Sequence, residues 1–189
     1  LVGLSGCNIT DFSAENLLRP PKAVGDEAEI EQLIAKTADS GYTLKYPKNG
    51  KFRSAIIMTD LDGNDSNEAV AFFRNSAETS SVHMLVMYSK DNSWEIASDN
   101  IFETTDIDSV DFADLTGNGK AEIIVNSTTY TPNVGKLSCY SYSEGKTNEV
   151  GSGQSCSSFV TGDFDNDGTS EIMSVSYTHL RAHETLRHL

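Results

Sequence analysis

The stretch DFDNDGTSE, residues 163–171, sets carboxylates at Asp163, Asp165, Asp167 and Glu171 with no basic residue between them. Unassisted, four like charges so close together repel one another. The pattern is not unique in the chain. Asp60-Leu61-Asp62-Gly63-Asn64-Asp65-Ser66-Asn67-Glu68 repeats it, and so does Asp114-Leu115-Thr116-Gly117-Asn118-Gly119-Lys120-Ala121-Glu122. First positions are 54 and 49 residues apart. Short β-type runs separate the copies: YTLKY, SAIIM, AVAFF, HMLVMY, WEIAS, AEIIV and LSCYSY, with Gly, Asn, Asp and Ser clusters between them. A period of about 50 residues with several short strands per unit marks propeller blades or a comparable repeat array.

The residue types at this spacing suit a hard cation. Side-chain oxygens at positions 1, 3, 5 and 9, with a backbone carbonyl at position 7, can wrap one Ca²⁺, which takes about six to eight oxygens in tolerant geometry. The ligand sets read this way are Asp60, Asp62, Asn64, Ser66 and Glu68; Asp114, Thr116, Asn118, Lys120 and Glu122; and Asp163, Asp165, Asp167, Thr169 and Glu171. Ser66, Lys120 and Thr169 enter through their carbonyls. Glycine at position 6, Gly119 and Gly168, allows the left-handed turn that brings the last ligands inward, and Asp65 tolerates the same conformation in the first copy. Leu61, Leu115 and Phe164 at position 2 are expected to pin each loop to its sheet. Up to three Ca²⁺ sites are predicted. Carboxylate count ranks the third strongest, the first next and the second weakest. An EF-hand needs a bidentate glutamate at position 12. Ala71, Val125 and Ser174 stand there instead, and the flanking helices are missing.

These units resemble the FG-GAP/VCBS-type repeats of calcium-stabilised β-propellers, similar to those of integrin alpha-chain heads and many bacterial surface proteins. The resemblance covers about residues 52–174. It implies a propeller of about seven blades, with Ca²⁺ in the loop that links the first two strands of a blade. Asp65 in place of glycine and Thr116 in place of an acid depart from the pattern. The expected fold is all-β, a partial β-propeller of about two and a half blades over residues 41–174, preceded by a short helix over 26–40. Within that helix Asp26 is the expected cap, with Glu29 three residues on. Ala28, Ile30, Leu33, Ile34 and Thr37 follow a period near 3.6, and Gly41 is the stop.

Both ends of the chain read differently. Leu4-Ser5-Gly6-Cys7 resembles the lipobox of bacterial lipoproteins. Residues 1–6 would be a signal-peptide remnant, Cys7 the lipidated residue, and the polar, proline-containing residues 7–25 a tether. The LLRPPK segment with the helix after it also resembles bacterial lipoproteins carrying such repeats. Residues 175–189 are expected to be non-native, because Val175 to Thr185 back-translates to a transposon-derived sequencing adapter. His179, His183 and His188 fall in that tail, so their metal-like i, i+4 spacing is read as an artefact. Cys139 and Cys156 flank a turn-like SEGKTNE, where a hairpin would place them side by side; a disulfide and two unpaired thiols are both open.

A net charge of −14 argues against nucleic acid and against a basic membrane-surface patch. No run of 18 or more apolar residues exists to span a bilayer. There is no Gly-x-Ser-x-Gly elbow, no phosphate loop and no native metal-binding histidine pair, and nearly every clustered acid is already assigned to a cation. Trp94 in WEIAS and His83 in SVHMLVMY read as ordinary strand residues. The sequence therefore reads as a non-enzymatic binding module at the bacterial cell envelope, extracytoplasmic and lipid-anchored, with a glycan or protein ligand. The alternative is a polysaccharide-active lyase or hydrolase whose catalytic residues lie outside this stretch.

Overall fold

A computed structural model describes residues 25–39, 41–78, 80–129 and 134–176. Cys7, the residue 1–6 remnant, nearly all of the 7–25 tether and the three tail histidines lie outside them. The described fold is mostly β, with one short helix and several antiparallel sheets. Helix α1 (Asp26–Ala38) precedes β1 (Tyr42–Leu44), β2 (Ile56–Thr59), β3 (Glu68–Asn75), β4 (Val82–Lys90) and β5 (Ser93–Phe102). Strands β6 (Ile107–Ala113), β7 (Glu122–Thr128), β8 (Gly135–Ser143) and β9 (Lys146–Cys156) follow, then β10 (Ser158–Gly162) and β11 (Glu171–Val175).

Three sheets result. In the first, β3, β4 and β5 form a meander, and β1 and β2 share the other edge of β3 end to end. The second is the meander β6-β7-β8-β9 and the third the pair β10-β11. Two-residue turns close two hairpins: Asp91-Asn92 between β4 and β5, and Glu144-Gly145 between β8 and β9, with positive φ at all four residues. That is the type I′ geometry whose twist matches the flanking strands.

The sheets stack face to face. Ile57, Leu61, Val70 and Phe72 of the first bury against Val110, Ile123, Val125 and Tyr140 of the second. Ile124 and Leu137 on the other face of the second sheet meet Phe159 and Ile172 of the third. Strand β3 is buried on both faces, since α1 covers the side turned away from the second sheet. Its near-continuous apolar run, AVAFF, follows from that double burial. The 45–53 connection ties the first two sheets. Lys48 and Asn49 N–H donate to Ile107 and Asp108 carbonyls at 3.2 and 2.7 Å, and Lys45 and Lys48 pair with Asp106.

Two expectations about the helix need correcting, and of the two alternatives for the cysteines one is found. Helix α1 ends at Ala38 rather than at 40, because Asp39 turns to φ +55 two residues before Gly41. Asp26 does not cap it. Gly25 occupies the N-cap with no side-chain hydrogen bond, and Asp26, Glu27 and Glu29 favour the helix through its N-terminal dipole. Glu29 instead accepts the Trp94 N–H at 3.0 Å, docking the helix on β5. Cys139 and Cys156 are free thiols. Their hairpin forms, but it turns at Glu144-Gly145, placing Cys139 opposite Gly151 and Cys156 opposite Gly135. Four residues apart along β8, at about 3.3 Å each, they are beyond disulfide reach.

Candidate metal centre

Each acidic loop joins two consecutive antiparallel strands: residues 60–67 between β2 and β3, 114–121 between β6 and β7, and 163–170 between β10 and β11. The strand ladder runs straight into the loop, so positions 1 and 9 start and finish it at the same height. A common scaffold then forms inside each turn. The position-1 aspartate gathers backbone N–H groups. Asp60 accepts from Gly63 at 2.7 Å and Asp65 at 2.9 Å, Asp114 from Gly117 and Gly119 at 2.7 Å each, and Asp163 from Asp167 at 3.1 Å and Gly168 at 2.9 Å.

Position 5 accepts the N–H of position 7: Ser66 to Asn64 at 2.7 Å, Lys120 to Asn118 at 2.8 Å, Thr169 to Asp167 at 2.8 Å. The position-9 glutamate reaches back to the N–H of position 2, from Leu61 at 2.7 Å, Leu115 at 2.8 Å and Phe164 at 2.9 Å. Position 6 has positive φ in all three loops, Asp65 at +65, Gly119 at +79 and Gly168 at +92. Repetition of so specific a turn from different residues is what a common ligand cage requires.

Two of the loops bring carboxylates together. One carboxylate oxygen from each of Asp163, Asp165, Asp167 and Glu171 lies within 4.8 Å of the others, and the same holds for Asp60, Asp62 and Glu68. Oxygens that share one Ca²⁺ at about 2.4 Å stand at most about 5 Å apart, so both groups have the span of a coordination shell. The second loop supplies only Asp114 and Glu122 as carboxylates, with Thr116 at position 3.

The electrostatics of the first loop show the strain of this arrangement. Burial pushes the Glu68 carboxyl up, the Leu61 N–H pulls it back, and the charges of Asp62 and Asp60 push it up again; the result lies above the usual glutamate value. Burial also pushes Asp60 and Asp114 up, but the converging N–H groups outweigh it and leave both below the usual aspartate value. Asp62 Oδ1 is buried without a hydrogen-bond partner. A buried carboxylate oxygen with no donor beside two other carboxylates is costly on its own, and a cation would satisfy it. The donor set, all oxygen and anionic, fits a hard divalent ion. Asp60, Asp62 and Glu68, and Asp163, Asp165, Asp167 and Glu171, are the side chains that would hold it.

Sequence reasoning missed how the loops meet. Position 4 also has positive φ, Gly63 at +75, Gly117 at +70 and Asn166 at +65. A Cβ on Gly63 would stand 2.7 Å from the Gly119 carbonyl oxygen. Ala121 N–H donates to the Leu61 carbonyl at 3.0 Å and Ser170 N–H to the Asp114 carbonyl at 2.8 Å. Successive loops thus stack, each leaning its position-8 amide on the one before. The Gly-Asn pair at positions 4 and 5 of the first two copies is the signal that pointed there. Position 2 behaves as expected twice, with Leu61 buried and Leu115 packed under the second sheet. Phe164 departs, being 50% exposed because no described sheet lies over it.

Elsewhere, Trp94 is buried between β5 and α1, as its strand pattern predicts. His83 stacks on Phe73 at 4.8 Å, and its Nδ1 faces Asp99 Oδ1 at 2.9 Å. Compared with protein-family models, curated proteins and solved structures, the chain matches none of them.

Proposed function

We propose that the chain is a calcium-stabilised scaffold of propeller-type blades, held outside the bacterial cytoplasm by a lipid on Cys7, whose exposed loops bind a glycan or protein at the cell surface. Calcium is structural in this reading. It cancels the charge repulsion inside each turn, and because the turns stack it also steadies the junctions between sheets. The observation that carries the proposal is the four-carboxylate cluster at 163–171, whose oxygens share one small volume. Among the described residues no lysine or arginine pairs with it.

The test is a calcium titration of the full chain by calorimetry, with thermal unfolding alongside. Binding is expected, with the third loop tightest, and saturating Ca²⁺ should raise the melting temperature by several degrees through its preference for the folded state. Asp165→Asn, paired with Asp167→Asn, should remove the tightest binding step and leave a weaker one at the first loop. Identical melting in chelator and in excess Ca²⁺ would sink the reading. The anchor is tested separately, by following the chain in membrane and soluble fractions. Cys7→Ser should move it to the soluble one.

A further inference from the structure

The three loop-bearing hairpins share one register. Ile56 lies opposite Ala71, Val110 opposite Val125, and Phe159 opposite Ser174. One step along, Ile57 lies opposite Val70, Asp111 opposite Ile124, and Val160 opposite Met173. Side chains alternate along a strand, so the first set of pairs occupies one face of every sheet and the second set the other. Ile57 and Val70 bury against the second sheet, and Ile124 buries against Phe159 and Ile172 of the third. Each sheet therefore gives the face of the second set to its successor, and receives its predecessor on the face of the first.

The two ends of the stack depart from this rule in opposite ways. On the first sheet the receiving face is covered by α1: Ile30, Ile34 and Ala38 pack on Ile56, Ala69 and Ala71. Where the second sheet has Ile123 and Val125, the first has Ala69 and Ala71, short side chains that let the helix isoleucines come down onto β3. The receiving face has been recut for a helix. On the third sheet the giving face lies open. Val160 and Met173 are each 56% exposed and Phe164 50%, whereas their counterparts Ile57, Val70 and Leu61 are 5%, 0% and 0% exposed.

We propose that α1 is an end cap standing in the place of a preceding sheet, and that Val160, Phe164 and Met173 form the docking face for a further sheet of this same repeat. The argument is continuity with two interfaces already present, one hydrophobic and one polar. An incoming fourth loop would rest its position-8 amide on the third loop, as Ala121 rests on Leu61 and Ser170 on Asp114. A second copy of the chain cannot dock head to tail, because its own receiving face lies under its own α1. Further sheets are then added at the face turned away from α1. None of this requires an ion to be bound, so it stands or falls apart from the calcium reading.

The register supplies the experiment. Ser174 is equivalent to Val125, so joining a second copy of residues 126–176 after Ser174 completes the third sheet and adds a fourth acidic loop. In the parent chain, peroxide should oxidise Met173 readily, as peptide mass spectrometry reads it. In the extended chain that oxidation should slow by about tenfold or more, with α1 amides as protected from exchange as before and Trp94 emission unchanged. Equal oxidation of Met173 in both chains would overturn the docking face. Loss of α1 protection in the extended chain would overturn the cap, since another sheet would then be claiming that surface. Concentration-dependent protection of Met173 in the parent would make a second copy the occupant and overturn the proposal. If the added residues fail to fold, the parent chain still decides. Met173→Lys should leave its urea midpoint unchanged while Val70→Lys abolishes the transition, and a large loss from Met173→Lys would show that the face is already covered.

Discussion

Gly63 and Gly119 face each other across the junction between the first two loops, and the pair separates two effects that usually come mixed. Both have positive φ, so an alanine at either pays the left-handed backbone penalty, on the order of 1 kcal/mol. Only at Gly63 does the new Cβ also strike a backbone oxygen, 2.7 Å away on Gly119; at Gly119 it meets nothing within 4 Å. Gly119→Ala should therefore cost about 1 kcal/mol and Gly63→Ala about 1–3 kcal/mol more, through overpacking of a backbone that cannot swing aside. Urea unfolding at fixed calcium reads both as shifts of midpoint with unchanged slope. Equal costs would mean that the loops of adjacent sheets are not held against each other.

Helix α1 rests on a narrow row, Ile30, Ile34 and Ala38, that enters the first sheet's alanine-lined face. Ile34→Ala should cost about 2–5 kcal/mol, as for other fully buried large-to-small changes, and should redden Trp94 emission because that ring packs on the same row. The β1–β2 connection offers a pH-dependent counterpart. Burial pushes Asp106 up, but hydrogen bonds from Lys45 and Lys48 and their charges outweigh it, so its folded value lies below the usual one. A depressed carboxylate stabilises the fold above its unfolded pKa of about 4, and that stability is lost as pH falls through the lower folded value. Asp106→Asn should accordingly be less stable than the parent at neutral pH, with the gap narrowing below about pH 4. A gap that stays constant down to pH 2 would show that the charge plays no part.

Legibility at this scale followed the chemistry of each element. The helix and the apolar strands β3, β4 and β7 were readable, since their periodicity is what burial demands. Strand β9, KTNEVGSGQSC, was not, because it is an outer strand exposed along most of its length and carries no alternation to read. Strand β6 escaped as well, its Asp108 and Asp111 breaking the apolar run to meet Asn49, Lys51 and Thr161 on neighbouring segments. In the loops, positions 1, 3, 5, 6 and 9 could be assigned from spacing. The exclusion of a Cβ at position 4 could not, since the left-handed backbone there belongs to the loop's own turn but the close approach at Gly63 comes from the neighbouring loop.

Across the whole molecule the decisive quantity is a net charge of −14, with carboxylates bunched in stacked turns. Such a chain gains stability from any salt, since mobile cations screen repulsion between exposed carboxylates, and that general effect must be separated from binding. Screening depends on ionic strength alone, and a Debye length of about 10 Å at 0.1 M means that a few millimolar of salt changes it little. Site binding depends on the identity of the ion and saturates. Adding about 1 mM CaCl₂ over 0.1 M NaCl should therefore raise the melting temperature by several degrees, while about 3 mM extra NaCl, which matches its ionic strength, should leave it unchanged. Magnesium at the same concentration should do less than calcium, because it demands near-ideal octahedral geometry at shorter distances than an irregular loop supplies. The Asp165→Asn, Asp167→Asn variant keeps the rest of the surface charge, so it should retain the salt response and lose most of the calcium response. If instead the three salts stabilise the chain equally at equal ionic strength, the stacked loops answer only to bulk charge and no cation is lodged in them.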